Sequence, residues 1–443
     1  MGAFIGTLFA FAIVFGILVF VHEFGHFFMA KLVGIRVETF SFGFGKRLFG
    51  FKRGETDYRV SLIPMGGYVK FMGEDVFEEK RDIEPGDFQA AKRWQRFLVM
   101  VMGAVMNIIL AIVLMSVINM VGVTVPDFQD QVPVIGWIEN GSPAEKAALE
   151  VDDLILSING KKTPTWSDVE IAVGTKPDRE ITLSIQRGDE AMDVNLFTES
   201  KTKYDMGYAG FFGKIYVQAT MVTPHSPADK AGFQAGDIIR AIDGRFVHYF
   251  EFTNLIQKNS DNELDFQIER DGEEISLKVT PRKEGQVGKI GLYSTQKSTL
   301  KKFGFFTAVG ESFKYNMNLI FLVFNTINDL VSGEASTKHL AGPLDIANMS
   351  YMALRAGLLP LLGWIAFISL QLGIINLFPI PVLDGGQILV LALEGIFRRD
   401  FSLKVKRVIM QIGFVMFIVL IVFVILNDVV KRLPNGWGSL IPF

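Results

Sequence analysis

His22, Glu23 and His26 stand in the pattern His-Glu-Phe-Gly-His. On a helix, residues four apart share a face, so both imidazoles can bind one metal ion. Glu23, beside the first of them, is placed to draw a proton from a water activated at that metal. Such a set performs amide hydrolysis at zinc. Its position adds to the argument, because the motif closes an uncharged run of 19 residues, Ala3 to Val21. Ionisable groups are costly in lipid and are kept there for function. On a soluble helix the same five residues would say little. At the end of a lipid-crossing run they point to hydrolysis inside the bilayer.

Four segments approach or exceed the ~20 residues that a membrane span requires: 1–30 with the motif, 94–122, 355–386 and 407–427. Their uncharged cores include Phe97 to Gly122, Ala356 to Leu383 and Val408 to Leu426. The imidazoles and carboxylates at or inside these spans are His22, Glu23, His26 and Asp384. Mean hydropathy is +0.32, yet 21% of residues are charged, so polar domains accompany the spans. The chain has no cysteine, which excludes disulfides, thiolate metal sites and a cysteine nucleophile. A net charge of −3 without a basic block gives no sign of nucleic-acid binding. The first apolar run lacks a basic leader and a small-residue cleavage site, so it is expected to be retained.

Basic residues orient the spans. Twelve Lys or Arg lie between Lys31 and Arg93, and five more (Arg398, Arg399, Lys404, Lys406, Arg407) between the last two spans. Both stretches are expected on the cytoplasmic side. Both chain ends and everything from about Val123 to Arg355 are then outside, and the motif lies near the cytoplasmic face. A third metal ligand must share that depth. His225, His248 and His339 fall in the outer region, which leaves Asp384. It ends the third span in Asn376-Leu-Phe-Pro-Ile-Pro-Val-Leu-Asp384-Gly-Gly386, where Pro379 and Pro381 must break the helix and Gly385-Gly386 give a flexible turn. The plainer alternative is that Asp384 only caps the next helix.

The outer region repeats itself. Residues 142–160 align without gaps to 226–244, with 9 of 19 positions identical. The offset of 84 residues is that of a duplicated domain. Each copy, a Ser-Pro-Ala helix start followed by an alternating strand and turn, resembles the PDZ domain, which binds extended peptides by strand addition. The copies are assigned to 127–212 and 213–297. Ala148 and Asp152 stand where the second copy has Gly232 and Gly236, so the two grooves need not form alike.

Between residues 31 and 93, glycines (Gly43, Gly45, Gly66, Gly67) punctuate aromatic and β-branched runs, which predicts short strands joined by glycine turns. This region either dips into the membrane beside the site or is an ordinary cytoplasmic β-domain. Residues 298–354 are expected to form an amphipathic, interfacial helical linker. The expected fold is therefore a polytopic α-helical membrane protein with four transmembrane helices, a membrane-associated β-hairpin region and two tandem PDZ-like domains.

The His22–His26 motif, the Asn376–Gly386 segment and the paired insertions resemble the site-2 protease family of intramembrane zinc metalloproteases, in its regulator of sigma-E protease branch. The resemblance covers essentially the whole chain. It implies one Zn2+ held by His22, His26 and Asp384, with Glu23 as general base. It also implies a substrate-handling role for Asn376, Pro381 and the membrane-associated strands with their glycines. Gly103 and Asn107 resemble a further family motif, or simply let helices pack. The implied substrates are transmembrane segments, of anti-sigma factors and remnant signal peptides, cut after their outer domains are trimmed. Peptide C-termini at the PDZ-like domains and membrane lipids are the other implied partners. The implied location is a bacterial inner membrane. Two alternatives belong to other classes. One is a membrane-anchored PDZ scaffold with an inactive or structural zinc site, in which Glu23 has no use. The other is a metal transporter, which the four dissimilar spans do not suggest.

Overall fold

The computed structural model describes residues 2–74, 84–200, 206–285, 287–332 and 340–431; His339 lies outside them. The chain forms two compact units. One is helical, from Met1–Gly122, Lys302–Asn328 and Leu340–Phe443; the other, Val123–Lys301 with Asp329–His339, is rich in sheet.

The helices of the first unit are α1 (Gly2–Leu32), α2 (Arg93–Val121), α3 (Phe305–Val331), α4 (Pro343–Ala356), α5 (Leu358–Asn376), α6 (Asp384–Ile396) and α7 (Leu403–Val430). Among the described residues α1, α2, α5 and α7 are long and apolar enough to cross a membrane. Small or short residues recur every fourth position along the buried face of α2: Val99, Gly103, Asn107 and Ala111. That stripe lets α1 and α5 approach closely. Val14 and Leu18 of α1 pack on Ile365 and Ile368 of α5, while Ala111 of α2 meets Leu370 and Ile374.

The third apolar segment, 355–386, breaks around Pro379 and Pro381: α5 stops at Asn376, a turn follows, and α6 starts at Asp384. Two expectations are corrected. Gly385 and Gly386 are not a flexible turn. They lie in the first turn of α6, where a side chain on Gly385 would strike the carbonyls of Leu377 and Phe378, and one on Gly386 that of Ile380. The stretch 298–354 is not helical throughout, since Ser298–Lys301 is a strand paired with Val123–Pro126 ahead of α3 and α4.

The region between α1 and α2 is built from β1 (Val37–Arg53) and β2 (Thr56–Phe71). These are two long strands where short ones were expected. Bends near Gly43–Gly45 and Gly66 give residues 39–42 neighbours on both sides: Phe40 faces Val69 and Tyr58, and Phe42 faces Gly67 and Val60. Residues 67–71 have strand neighbours on one side only, among the described residues.

The sheet-rich unit holds a four-stranded and a five-stranded sheet. Their cores are separate, centred on Ile155, Leu183 and Ile185 in the first and on Ile239, Phe266 and Ile268 in the second. The repeat extends to its ion pairs. Asp153 and Asp237, both buried, accept the N–H three residues earlier and a forked Arg, Arg187 or Arg270. Ala148 (φ 56°) and Asp152 (φ 73°) adopt the left-handed backbone of Gly232 (φ 90°) and Gly236 (φ 102°). The two copies therefore turn alike despite the missing glycines.

His248 is buried in the second copy and caps helix Tyr249–Lys258. Its Nε2–H donates to the Gly213 carbonyl at 3.0 Å and its Nδ1 accepts from the Phe250 N–H. Burial pushes its pKa down to about 4, against a smaller upward pull from the Gly213 carbonyl. The folded value lies below the unfolded one, so this contribution is complete above pH 6.5 and falls as pH drops toward 4. The full loss is about 3 kcal/mol. Hydrogen exchange of peptides from residues 213–258, corrected for intrinsic rates, should show protection falling over that window. In His248→Asn, which keeps a capping side chain, the dependence should be lost.

Candidate active site

α1 presents His22, Glu23 and His26 along one face, toward α2 and β2. The close crossing with α2 depends on two glycines. A side chain on Gly25 would run into the Met102 carbonyl and lie 2.8 Å from Met106 Cγ. A methyl on Gly103 would sit 2.6 Å from His26 Cε1 and 2.8 Å from His22 Cε1. At the start of α6, Asp384 turns its carboxylate onto the imidazoles: Oδ2 is 3.1 Å from His22 Nε2 and 3.3 Å from His26 Nε2. The two Nε2 atoms are 3.2 Å apart.

These residues fit a zinc ion. Asp384 Oδ2 is buried with no hydrogen-bond donor. A tetrahedral ion with bonds of about 2.0–2.1 Å holds its ligand atoms about 3.3 Å apart, which is the spacing of these three. The tautomers agree. His26 Nδ1–H donates to the Val99 carbonyl at 2.7 Å, which leaves Nε2 free to ligate. His22 Nδ1 lies 3.3 Å from the Asn107 amide, whose Oδ1 is buried without a partner. Turning that amide over gives a His22 Nδ1–H its acceptor and satisfies both groups.

Glu23 stands apart from this triangle. Its Oε2 accepts the Val69 N–H at 3.0 Å, so the outer segment of the sheet holds this carboxylate in place. Gly67 lies in the same segment, and a side chain there would be 3.8 Å from Glu23 Cγ. Gly66 is the neighbouring bend, while Gly43 and Gly45 form the bend of β1 against Ile63. Asn376, at the end of α5, points its amide to His22 at 3.4 Å. Pro381 packs on α7, where a side chain on Gly413 would collide with its ring.

The model of Peptidase family M50 matches residues 10–420. This chain belongs to that family. A regulator of sigma E protease from Salmonella typhi is 34% identical over 95% of this chain and 98% of its own length. Regulator of sigma-E protease RseP from Escherichia coli K12 is 32% identical, covering 97% and 99%. A putative zinc metalloprotease from Vibrio cholerae is 31% identical, covering 95% and 97%. A solved PDZ domain of an SdrC-like protein from Listeria monocytogenes matches 19% of the chain at 18% identity and TM-score 0.17, too slight a likeness to argue from. This M50 chain is a zinc metalloprotease of the intramembrane site-2 class and a multi-pass inner-membrane protein. The scaffold and transporter alternatives are not favoured.

Of the residues singled out in the sequence, the structure brings His22, Glu23, His26, Asp384, Asn376 and Gly67 to one place in this peptidase. Gly43 and Gly45 lie one bend away. His248 and His225 take no part, as the first caps a helix and the second is exposed. Two contacts were illegible in the sequence: the Val99 carbonyl and the Val69 N–H, because main-chain groups carry no residue signature. Gly103 and Asn107 were noted without a fixed role. Their four-residue spacing from Val99 was the available signal, since it sets a carbonyl, a gap and an amide along one helix face.

The steric role of Gly103 is testable. Gly103→Ala should weaken zinc retention about 10- to 100-fold, the range for loss of support behind a ligand. Zinc competition against a chelator checks this, and unchanged affinity would show that α2 does not abut the ligands.

Proposed function

We propose that His22, His26 and Asp384 hold the zinc ion and that Glu23 is the general base and then the general acid of peptide hydrolysis. The observation that carries this reading is the convergence of His22 Nε2, His26 Nε2 and Asp384 Oδ2 at tetrahedral spacing, with a separately held carboxylate beside them. Bound zinc supplies Lewis acidity, which lowers the pKa of water toward about 7 and polarises the scissile carbonyl. Glu23 takes the proton of the attacking water and delivers it to the departing amide nitrogen. The Val69 N–H keeps that carboxylate aimed throughout. Asn376 and the Asn107 amide keep His22 from rotating.

A transmembrane substrate hides its carbonyls in helical hydrogen bonds, so a segment of it must unwind. Residues 67–71, with strand neighbours on one side only, are the proposed platform for the unwound chain, apart from the Val69 and Phe71 N–H groups that Glu23 and Glu74 occupy. Gly66 and Gly67 keep the approach narrow, and Pro381 bounds it. The exposed Leu48, Phe49 and Phe51, flanked by Lys46, Arg47, Lys52 and Arg53, support association of the sheet with the membrane. Basic loops support a cytoplasmic depth for the site and an outer position for both chain ends and residues 123–301.

The two sheets of that outer region are proposed to be tandem PDZ-like domains. A cavity of about 360 Å3 between helix Trp166–Gly174 and residues 206–213 is the proposed peptide groove of the first. Their proposed role is to exclude substrates whose outer domains are intact. Substrates of this kind include anti-sigma factors, in keeping with the names of the relatives, and remnant signal peptides.

Two experiments bear on this. Glu23→Gln should keep one zinc per chain and lose activity on a trimmed transmembrane substrate by about 10²- to 10⁴-fold. Cleavage at wild-type rate would remove Glu23 from the mechanism. Deleting residues 127–297 should let the enzyme cut untrimmed substrates. If deletion instead stops all cleavage, the domains recruit substrates and do not exclude them.

A further inference from the structure

Next to the strand segment that holds Glu23, the helical unit lines a partly open cavity of about 420 Å3. Residues Tyr68–Lys70 of β2 form one wall, and α6 and α7 form others. Two lining residues tie it to the site: Val69 holds Glu23, and Pro381 precedes Asp384 by three residues. Val390, Leu391, Ile409 and Met410 make much of the lining apolar. The same lining contains Arg96, Glu394 and Lys406.

Glu394 is 0% exposed and Arg96 5%. Glu394 Oε1 accepts from Lys406 Nζ and from the Phe401 N–H, each at 2.8 Å. Its Oε2 has no hydrogen-bond partner and stands 4.0 Å from Arg96 Nη1. Arg96 Nε also lacks one. A pair kept for stability alone closes to a charge-assisted bond of about 2.8 Å. Here two residues of one cavity lining each keep a buried polar atom without a partner, Glu394 Oε2 and Arg96 Nε, while Oε2 and Nη1 stay 4.0 Å apart. A group that both donates and accepts completes both. The carboxamide of Asn or Gln does so, and so does a main-chain peptide unit.

We propose that this cavity is a specificity subsite for the segment being cut. Its apolar walls take a side chain near the scissile bond, and Arg96 with Glu394 take a carboxamide or peptide group of the substrate. The chemistry suits the end of a membrane segment, where apolar residues give way to polar ones. Lys406, near the start of α7, belongs to the basic stretch 398–407, on the side where that change is expected. The proposal rests on the reading above that the substrate lies along residues 67–71, beside Glu23.

The test is cleavage of a panel of transmembrane substrates by the full-length enzyme in detergent. Positions flanking the cut are varied among Ala, Leu, Phe and Asn, or carry a backbone ester in place of the amide. Wild type is compared with Val390→Phe and Glu394→Gln, with zinc content measured and Glu23→Gln as the inactive control. Val390→Phe narrows the cavity, so the Leu-to-Ala ratio of kcat/KM at one substrate position should fall about tenfold or more. Glu394→Gln should erase a preference for Asn at another position, or the penalty for the ester if the main chain is the ligand. Defective folding lowers all substrates together and leaves the ratios alone, so the ratios decide. Should Glu394→Gln fail to accumulate, Val390→Phe decides alone. Unchanged ratios at every position, with zinc bound, overturn the subsite and leave the catalytic reading standing. Cleavage by Glu23→Gln overturns the catalytic reading, and the subsite falls with it.

Discussion

Two imidazoles and two carboxylates packed among apolar helices are tolerable only when each lone pair and each proton has a defined partner. That requirement organises the helical unit. His26 places its Nδ1 proton on a carbonyl of α2, and His22 faces amides from α2 and α5. Glu23 takes an N–H from β2, and Asp384 arrives from the first turn of α6. Five elements converge on a space a few ångströms across, and none can be displaced without leaving a buried polar group unmatched. The glycines follow from the same constraint. Gly25 and Gly103 exist as gaps through which α1 and α2 come close enough for imidazoles to reach both a carbonyl and a carboxylate.

The break between α5 and α6 answers a second demand. A continuous helix through residues 377–383 would carry Asp384 past the imidazoles. Pro379 and Pro381 forbid it, and the turn folds back over Gly385 and Gly386, which have no side chains to obstruct it. The N-terminal end of α6 then presents its positive dipole beside the Asp384 carboxylate, a favourable placement for an anion. Gly413 of α7 accepts the Pro381 ring, so the turn is clasped from the far side as well.

The sheet-rich unit shows how far a duplication tolerates drift. Ala148 holds a left-handed conformation at a cost of roughly 1 kcal/mol. The Arg187–Asp153 pair and its counterpart Arg270–Asp237, each with a buried carboxylate, persist in both copies. Loss of either arginine would strand a buried carboxylate, which costs far more than a strained turn. The sequence repeat showed the duplication, but not the arginines, which lie outside the aligned block.

What the sequence by itself determined is the chemistry and its setting. The residues His22, Glu23, His26 and Asp384, the four apolar spans and the repeat were all legible, because helical spacing, length and charge exclusion are local properties. Only the tertiary structure decided how the site is held. The end of α5 at Asn376, the helical state of Gly385 and Gly386, the bend of β1 and β2 and the contacts of Val99, Gly103, Asn107 and Val69 were not legible. Each depends on main-chain groups or on empty space between elements distant in sequence. Neither a carbonyl nor a gap has a letter of its own, and both acquire meaning only when the helices meet.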